Sequence, residues 1–233
     1  MSSEERAGSL ERLVDGATAQ SSRLATKQVA RIRSRYPDAA PSSVIRILER
    51  RYAASSLAAG GAVGAAAAVT GPRSGAALAL TAGQAGAFIG SSATLALAVA
   101  QVHGVELDAD RRRTLVLGTL IGERGSVLLE RELGLGPVFW ARSLLLRLPR
   151  STVNRVNRAL VRAGAGTASA GSTGAMAGRL TPFGIGALIG AATGRAASRT
   201  VVRGVARAFG PAPTEYGDAA ARAAGGELQG DTS

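Results

Sequence analysis

The chain has 233 residues and a formal net charge of +12, with no cysteine and a single histidine. These counts exclude disulfide bonds, thiolate metal ligands, cysteine catalysis and metal sites built from several histidines. Hydrophobic residues make up 46% of the chain, yet aromatic residues make up only 3%, and glycine occurs 31 times. Small side chains let helix backbones pack closely, as in pairs of membrane helices. The composition therefore favours an all-α protein that associates with a membrane.

The first 41 residues predict a polar helical segment. Apolar residues recur at helical spacing among charges up to about residue 35, and the first twelve residues lack the apolar stretch of a signal peptide. Tyr36 and Pro37 are expected to end this helix, because a residue that precedes proline avoids helical geometry. The next helix is expected to follow Pro41, with Ser42 as its N-cap.

Two long uncharged segments then predict a glycine-rich helical hairpin. Residues 52–72 and 74–105 contain no charged side chain, and the single histidine, His103, is taken as neutral. Both segments reach the length of ~20 residues that a helix needs to cross a bilayer. Small residues recur every four positions in both segments, and Gly71 and Pro72 form the turn signal between them. We expect the hairpin to pack through these stripes, with Gly75 and Gly83 among the helix-packing residues.

The remaining chain predicts amphipathic and basic helices. Gly104 is expected to end the second helix of the hairpin, and Asp108 is expected to cap a helix that ends near Gly122 or continues to about residue 133. Residues 138–148 are amphipathic, and their apolar face, which includes Phe139 and Trp140, is expected to lie in a membrane interface. Residues 152–163 are basic, whereas the small-residue composition of 164–178 fits either a linker or a further helix. A last helix begins near residue 181 and ends at Gly210, and residues 214–233 are expected to be disordered. Its predicted helix-packing glycines are Gly186, Gly190 and Gly194.

The positive charge is concentrated in the C-terminal half. No acidic residue occurs between residues 133 and 214, whereas eleven arginines lie in that range. These arginines have few partners nearby in sequence, so they are expected to pair with acids of the N-terminal half, to face water, or to contact an external anion such as lipid headgroups. The candidate anionic-lipid contacts are Arg142, Arg147, Arg150, Arg155, Arg158 and Arg162.

The sequence resembles the bacterial EcsC family of helical proteins. The likeness lies in four patterns across about residues 42–213: the basic stretch from Val44 to Tyr52 before the hairpin, the segment from Val102 to Asp108, the segment from Thr181 to Arg195, and the closing Ala208-Phe209-Gly210-Pro211. The resemblance implies an all-α, membrane-associated protein, and it brings no catalytic residues with it.

No pattern in the sequence predicts an enzyme or a cofactor. The glycines from Gly184 to Gly190 have one residue too many for a dinucleotide fingerprint, and no P-loop is present. His103 lacks the serine motif of a catalytic triad, and Glu123, Glu130 and Glu132 are expected on a solvated helix face. We therefore expect no catalytic, cofactor-binding or metal-binding residue.

The first hypothesis is a non-enzymatic structural or interaction protein at the cytoplasmic face of a membrane. It is held there peripherally or by the inserted hairpin, whose flanking arginines are expected to remain in the cytoplasm. The predicted divisions are residues 1–41, the membrane-associated domain 42–213 and the tail 214–233. The alternative is a soluble helical adaptor that binds a protein partner. Nucleic-acid binding is a weaker alternative, since no recognition motif accompanies the arginines.

Overall fold

The computed structural model describes residues 3–70, 75–133, 139–143, 148–177 and 185–216. All regular secondary structure in these ranges is α-helical, which confirms the predicted all-α class. The helices are α1 (Ser3–Arg35), α2 (Pro41–Thr70), α3 (Gly75–Val102), α4 (Ala109–Ile121), α5 (Glu123–Leu133), α6 (Trp140–Ser143), α7 (Arg150–Ala177) and α8 (Ile185–Phe209).

The short helix α4 lies at the centre of the fold. It contacts α1, α3, α5, α7 and α8, and six consecutive residues from Thr114 to Thr119 are buried. A helix that is enclosed on all sides needs apolar side chains around its whole circumference. Leu115, Val116 and Leu117 supply them, and each is almost fully buried. Helix α3 is enclosed in the same way from Ser92 to Ala100, whereas α1, α7 and α8 alternate buried and exposed residues and so leave one face to solvent.

The long N-terminal helix is part of the same core. Val14, Ala25, Val29 and Ile32 of α1 are buried in the cluster that α3 and α4 also form. Polar contacts add to this packing, because the Ser21 hydroxyl donates to the Gly90 carbonyl of α3 at 2.9 Å. Helices α2 and α3 contact each other as the predicted hairpin requires, but α2 packs most extensively on α8 and α3 on α1. The hairpin turn lies outside the described residues, as do the contacts of the small-residue stripes between residues 60 and 85.

Several predicted helix ends are confirmed in detail. Gly104 has a φ of 69°, and the amides of Gly104 and Val105 donate to the carbonyls of Gln101 and Ala100. This hydrogen-bond pattern is a Schellman motif, in which a left-handed residue closes the helix. The Asp108 carboxylate accepts from the Arg111 amide at 2.9 Å and so caps α4. That backbone hydrogen bond is the main reason why the pKa of Asp108 lies below its ordinary value.

Other helix ends differ from the predictions or resolve alternatives that the sequence left open. Helix α2 begins at Pro41, so Ser42 lies inside its first turn; the prediction that Ser42 is the N-cap is wrong, because proline itself suits the first helical position. The helix that Asp108 caps ends before Gly122, whose φ of 70° separates α4 from α5. Helix α7 continues to Ala177, so the described part of the segment 164–178 is helical.

The described chain also extends past the predicted tail boundary at residue 214. Tyr216 is half-buried against the core, and its hydroxyl donates to the Ala39 carbonyl between α1 and α2. The guanidinium of Arg33 lies 4.3 Å from the centre of its ring, a cation–π distance. Burial raises the pKa of the Tyr216 phenol. The C-terminal segment up to Tyr216 is thereby attached to the α1–α2 connection.

None of the helices, within the part of the chain that the structure describes, combines the length and the apolarity needed to cross a membrane.

Candidate functional site

Helix α7 presents three arginines on the face opposite its buried side. Arg155, Arg158 and Arg162 are spaced by three and four residues, so they share one side of the helix, and all three are exposed. The opposite side is fully buried through Val156 and Leu160. The hydrogen bonds and ion pairs of the described residues include no carboxylate bound to these three guanidinium groups.

A buried polar contact fixes the rotation of α7 and therefore the direction of its arginines. Asn157 is 4% exposed, and its side-chain oxygen accepts from the Thr114 hydroxyl at 2.8 Å. Its amide nitrogen donates to the Asp110 carbonyl at 3.2 Å. Rotation of α7 would leave these buried polar groups without partners, which costs about 1–3 kcal/mol for each group. The three arginines are therefore held toward solvent by the fold.

Helix α8 carries a second stripe of arginines. Arg195, Arg199 and Arg203 recur every four residues and are exposed, whereas Val201, Val205 and Phe209 on the other side are buried. The Arg203 Nε group donates to the Arg199 carbonyl within the helix, and no described carboxylate pairs with the three side chains. The two helices both pack on α4, so α4 supports both stripes.

Other arginines form ion pairs and hydrogen bonds with groups of the protein itself and are therefore less available to an external anion. At the start of α4, Arg111 pairs with Asp108 and donates to the Leu148 carbonyl. Arg112 donates to the Ser22 hydroxyl at 3.0 Å, and Arg113 forms an ion pair with Asp15 of α1. These three residues join α4 to α1 and to the start of α7. The sequence alone does not separate such internal arginines from the exposed ones.

The structure locates only part of the predicted lipid-contact set. Arg150 is the first residue of α7 and is exposed, as are Arg155, Arg158 and Arg162. Arg142 lies on α6, but its side chain is outside what the structure describes, and Arg147 lies outside the described residues altogether. Of the predicted packing glycines, Gly75 and Gly83 lie on α3 and Gly186, Gly190 and Gly194 on α8. The surroundings of the first four likewise lie outside what the structure describes, whereas Gly194 is half-buried.

Phe139 and Trp140 do not form one apolar face, as the amphipathic pattern of residues 138–148 predicts. Trp140 is 1% exposed, and its indole nitrogen donates to the buried Ser126 hydroxyl at 3.3 Å. Its ring lies against Gly118 of α4, where an added Cβ would come within 2.8 Å of it. Phe139 is 47% exposed. The prediction of a shared face is therefore wrong, because Trp140 is part of the core that orients α4 and α5.

His103 is a buried residue at a helix end. It is 8% exposed, and its ring stacks on Phe209 of α8 with 5.0 Å between the ring centres. Aromatic stacking at this distance stabilises the junction between α3 and α8. Within the described residues, no group of three histidine or acidic side chains could hold a metal ion.

A groove of about 770 Å³ opens between α1, α2 and α3. Its inner surface includes the buried side chains of Leu48 and Leu95. Two exposed arginines, Arg12 of α1 and Arg51 of α2, line it at the surface, and no acidic side chain is among the described residues that line it. The volume lies within the ~300–1,000 Å³ range of ligand pockets in proteins. This groove is not among the features predicted from the sequence.

Glycines in the groove differ from those in the core. Gly16, Gly86 and Gly90 line the groove, and a Cβ added to any of them would meet nothing within 4 Å. By contrast, a Cβ at Gly204 of α8 would lie 2.7 Å from the Thr119 carbonyl oxygen of α4. The core glycine is thus required by the close approach of two helices, whereas the groove glycines leave space that no described residue fills.

The two kinds of glycine predict opposite effects on stability. We expect Gly90→Ala to raise the free energy of unfolding by about 0.5–1 kcal/mol, since alanine is the better helix former and has room. Gly204→Ala should lower it by about 1–3 kcal/mol, because the new methyl group overpacks the α4–α8 contact. Urea unfolding followed by circular dichroism measures both changes. A destabilising Gly90→Ala substitution would contradict the open groove.

A search against protein-family models, curated proteins and solved structures found no match to the chain.

Proposed function

We propose that this protein is a non-enzymatic interaction protein that binds the surface of an anionic membrane through the exposed arginines of α7 and α8. The observation that carries the proposal is the α7 face of Arg155, Arg158 and Arg162, which the buried contacts of Asn157 hold toward solvent. A cation near an anionic bilayer contributes about 1 kcal/mol. Several exposed arginines that pair with no carboxylate among the described residues therefore give useful affinity without deep insertion.

The distribution of charge supports a surface role for these arginines. If the arginines served only to keep the protein soluble, a mixture of acidic and basic residues would do so equally well. Residues 133–214 nevertheless contain no acidic residue. The arginines that stabilise the fold lie elsewhere, chiefly at the start of α4. The likeness to EcsC proteins points in the same direction, and the predicted glycine-rich stripes of α3 and α8 are consistent with membrane-associated helices.

Cell fractionation without detergent separates this proposal from the soluble-adaptor alternative. The intact protein, expressed in a bacterial host, should be recovered in the membrane pellet at low salt, and a high-salt wash should release it, because salt screens charges beyond about a Debye length. A variant with Arg155, Arg158 and Arg162 changed to Gln should shift toward the supernatant. Recovery of the unchanged protein in the low-salt supernatant would contradict the proposal and favour the adaptor.

Nucleic acid is the competing anionic partner for the same arginines. Phosphate contacts are also electrostatic and depend steeply on salt, so salt dependence alone does not separate DNA from lipid. Nuclease treatment of the lysate before fractionation provides the control. Loss of the protein from the pellet after nuclease treatment would identify nucleic acid as the partner.

A further inference from the structure

We propose that the groove between α1, α2 and α3 is a binding site for a single-chain anionic lipid. In this proposal the acyl chain lies in the groove, and the head group contacts Arg12 and Arg51. The site is separate from the arginine faces of α7 and α8. It would therefore bind a lipid monomer in solution whether or not the protein binds membranes.

The inner surface of the groove suits an apolar chain because its hydroxyl groups already have partners. The Ser21 and Thr94 hydroxyls both donate to the Gly90 carbonyl, at 2.9 and 2.8 Å. The Tyr52 hydroxyl shares a hydrogen bond with Ser92 at 2.7 Å, and burial raises the pKa of that phenol. A ligand that covers these residues leaves no hydroxyl unsatisfied, so they can be dehydrated at little cost. Leu48 and Leu95 add apolar surface beside them.

The glycines that line the groove allow an acyl chain to approach the helix backbones closely. Gly86 and Gly90 are one helical turn apart on α3, and Gly16 lies in the α1 wall. The α3 wall from Gly86 to Leu95 rises by 1.5 Å per residue, which gives a length of about 13 Å. A ten-carbon acyl chain is of comparable extended length. The space left by three absent side chains opens into the groove, and no described residue packs into it.

The charges at the groove select the head group. Arg12 and Arg51 are the charged residues among the described side chains that line it. The Arg12 Nε group makes only a long contact of 3.3 Å to the Gly8 carbonyl, and no described carboxylate pairs with Arg51. A carboxylate or phosphate head would be complementary to this pair, whereas an uncharged head would gain nothing from it. Charge complementarity thus favours an anionic amphiphile over a neutral one.

The test is isothermal titration calorimetry of the full-length protein with decanoate and with decanol, both below the concentrations at which they aggregate. We expect decanoate to bind at one site and decanol to bind about tenfold more weakly. Arg12→Gln combined with Arg51→Gln should remove the difference in affinity between decanoate and decanol, while both compounds still bind weakly through their acyl chains. Gly86→Leu combined with Gly90→Leu should abolish binding of both compounds, because leucine side chains would fill the open space.

The control variant carries Arg155→Gln, Arg158→Gln and Arg162→Gln, which should bind decanoate as the parent does even if it no longer binds membranes. Failure of the groove proposal and failure of the proposed membrane function are therefore distinguishable. Equal binding of decanoate and decanol, or undiminished binding to the folded double-leucine variant, would overturn the proposal. Absence of decanoate binding, together with binding of an acidic amphipathic peptide, would overturn it in favour of a helix-docking groove.

Discussion

Replacement of Arg155, Arg158 and Arg162 by glutamine is expected to weaken binding of the intact protein to anionic vesicles by roughly 100-fold. Three surface cations at about 1 kcal/mol each amount to about 3 kcal/mol, and each 1.4 kcal/mol corresponds to a factor of ten. Glutamine keeps the length and polarity of the side chains, and the three residues are exposed, so the fold should be retained. Co-sedimentation with vesicles at low salt measures the change.

A matched control removes the same charge from other helices. Arg46 and Arg50 of α2 and Arg131 of α5 are also exposed, but they lie next to acidic residues, Glu49 in α2 and Glu130 and Glu132 in α5, so they form no uniform positive face. The corresponding triple glutamine variant should lose much less affinity than the α7 variant. An equal loss in the two variants would show that net charge alone governs binding and that the orientation of α7 has no special role.

Trp140→Ala is expected to destabilise the fold more than the glycine and arginine substitutions do. Removal of a buried tryptophan typically costs about 3–5 kcal/mol, because apolar contacts are lost and a cavity remains. In this protein the Ser126 hydroxyl would also lose the indole as a partner. The neighbouring Phe139→Ala is the control, since Phe139 is 47% exposed and should cost about 1 kcal/mol. Denaturant unfolding of both variants measures the difference.

The same tryptophan reports on how the protein contacts a membrane. Trp140 is the only tryptophan in the chain, so fluorescence emission arises from one buried position. If the folded protein binds through its arginine faces, addition of anionic vesicles should leave this emission unchanged. Quenching of Trp140 by lipids that carry bromine in their acyl chains would contradict the buried position and restore the interfacial interpretation of residues 138–148.

The sequence predicts the helices and their ends well where the signal is local. Asp108 as a cap and Gly104 and Gly210 as helix terminators follow from the chemistry of a few adjacent residues, and the structure confirms them. The role of Trp140 could not be predicted in this way, because an apolar residue on an amphipathic helix can face either a core or a membrane. Only the tertiary contact with Gly118 and Ser126 decides between them.

The candidate sites show the same division between local and long-range information. The arginine face of α7 follows from the spacing of Arg155, Arg158 and Arg162, which is visible in the sequence. The groove depends on α1, α2 and α3 meeting at a particular distance, and Arg12 and Arg51 are 39 positions apart in the chain. The glycine pair Gly86 and Gly90 is a sequence signal for it, but it is hidden among many other glycines at the same spacing.

Equilibrium binding of the intact protein to vesicles of varied anionic lipid content tests the central claim most directly. We predict that affinity rises steeply with the anionic fraction, falls as salt is added, and is negligible for neutral vesicles. Equal affinity for neutral and anionic vesicles would contradict the proposed membrane binding. Tighter binding to duplex DNA than to anionic vesicles at the same salt concentration would contradict the choice of lipid as the partner.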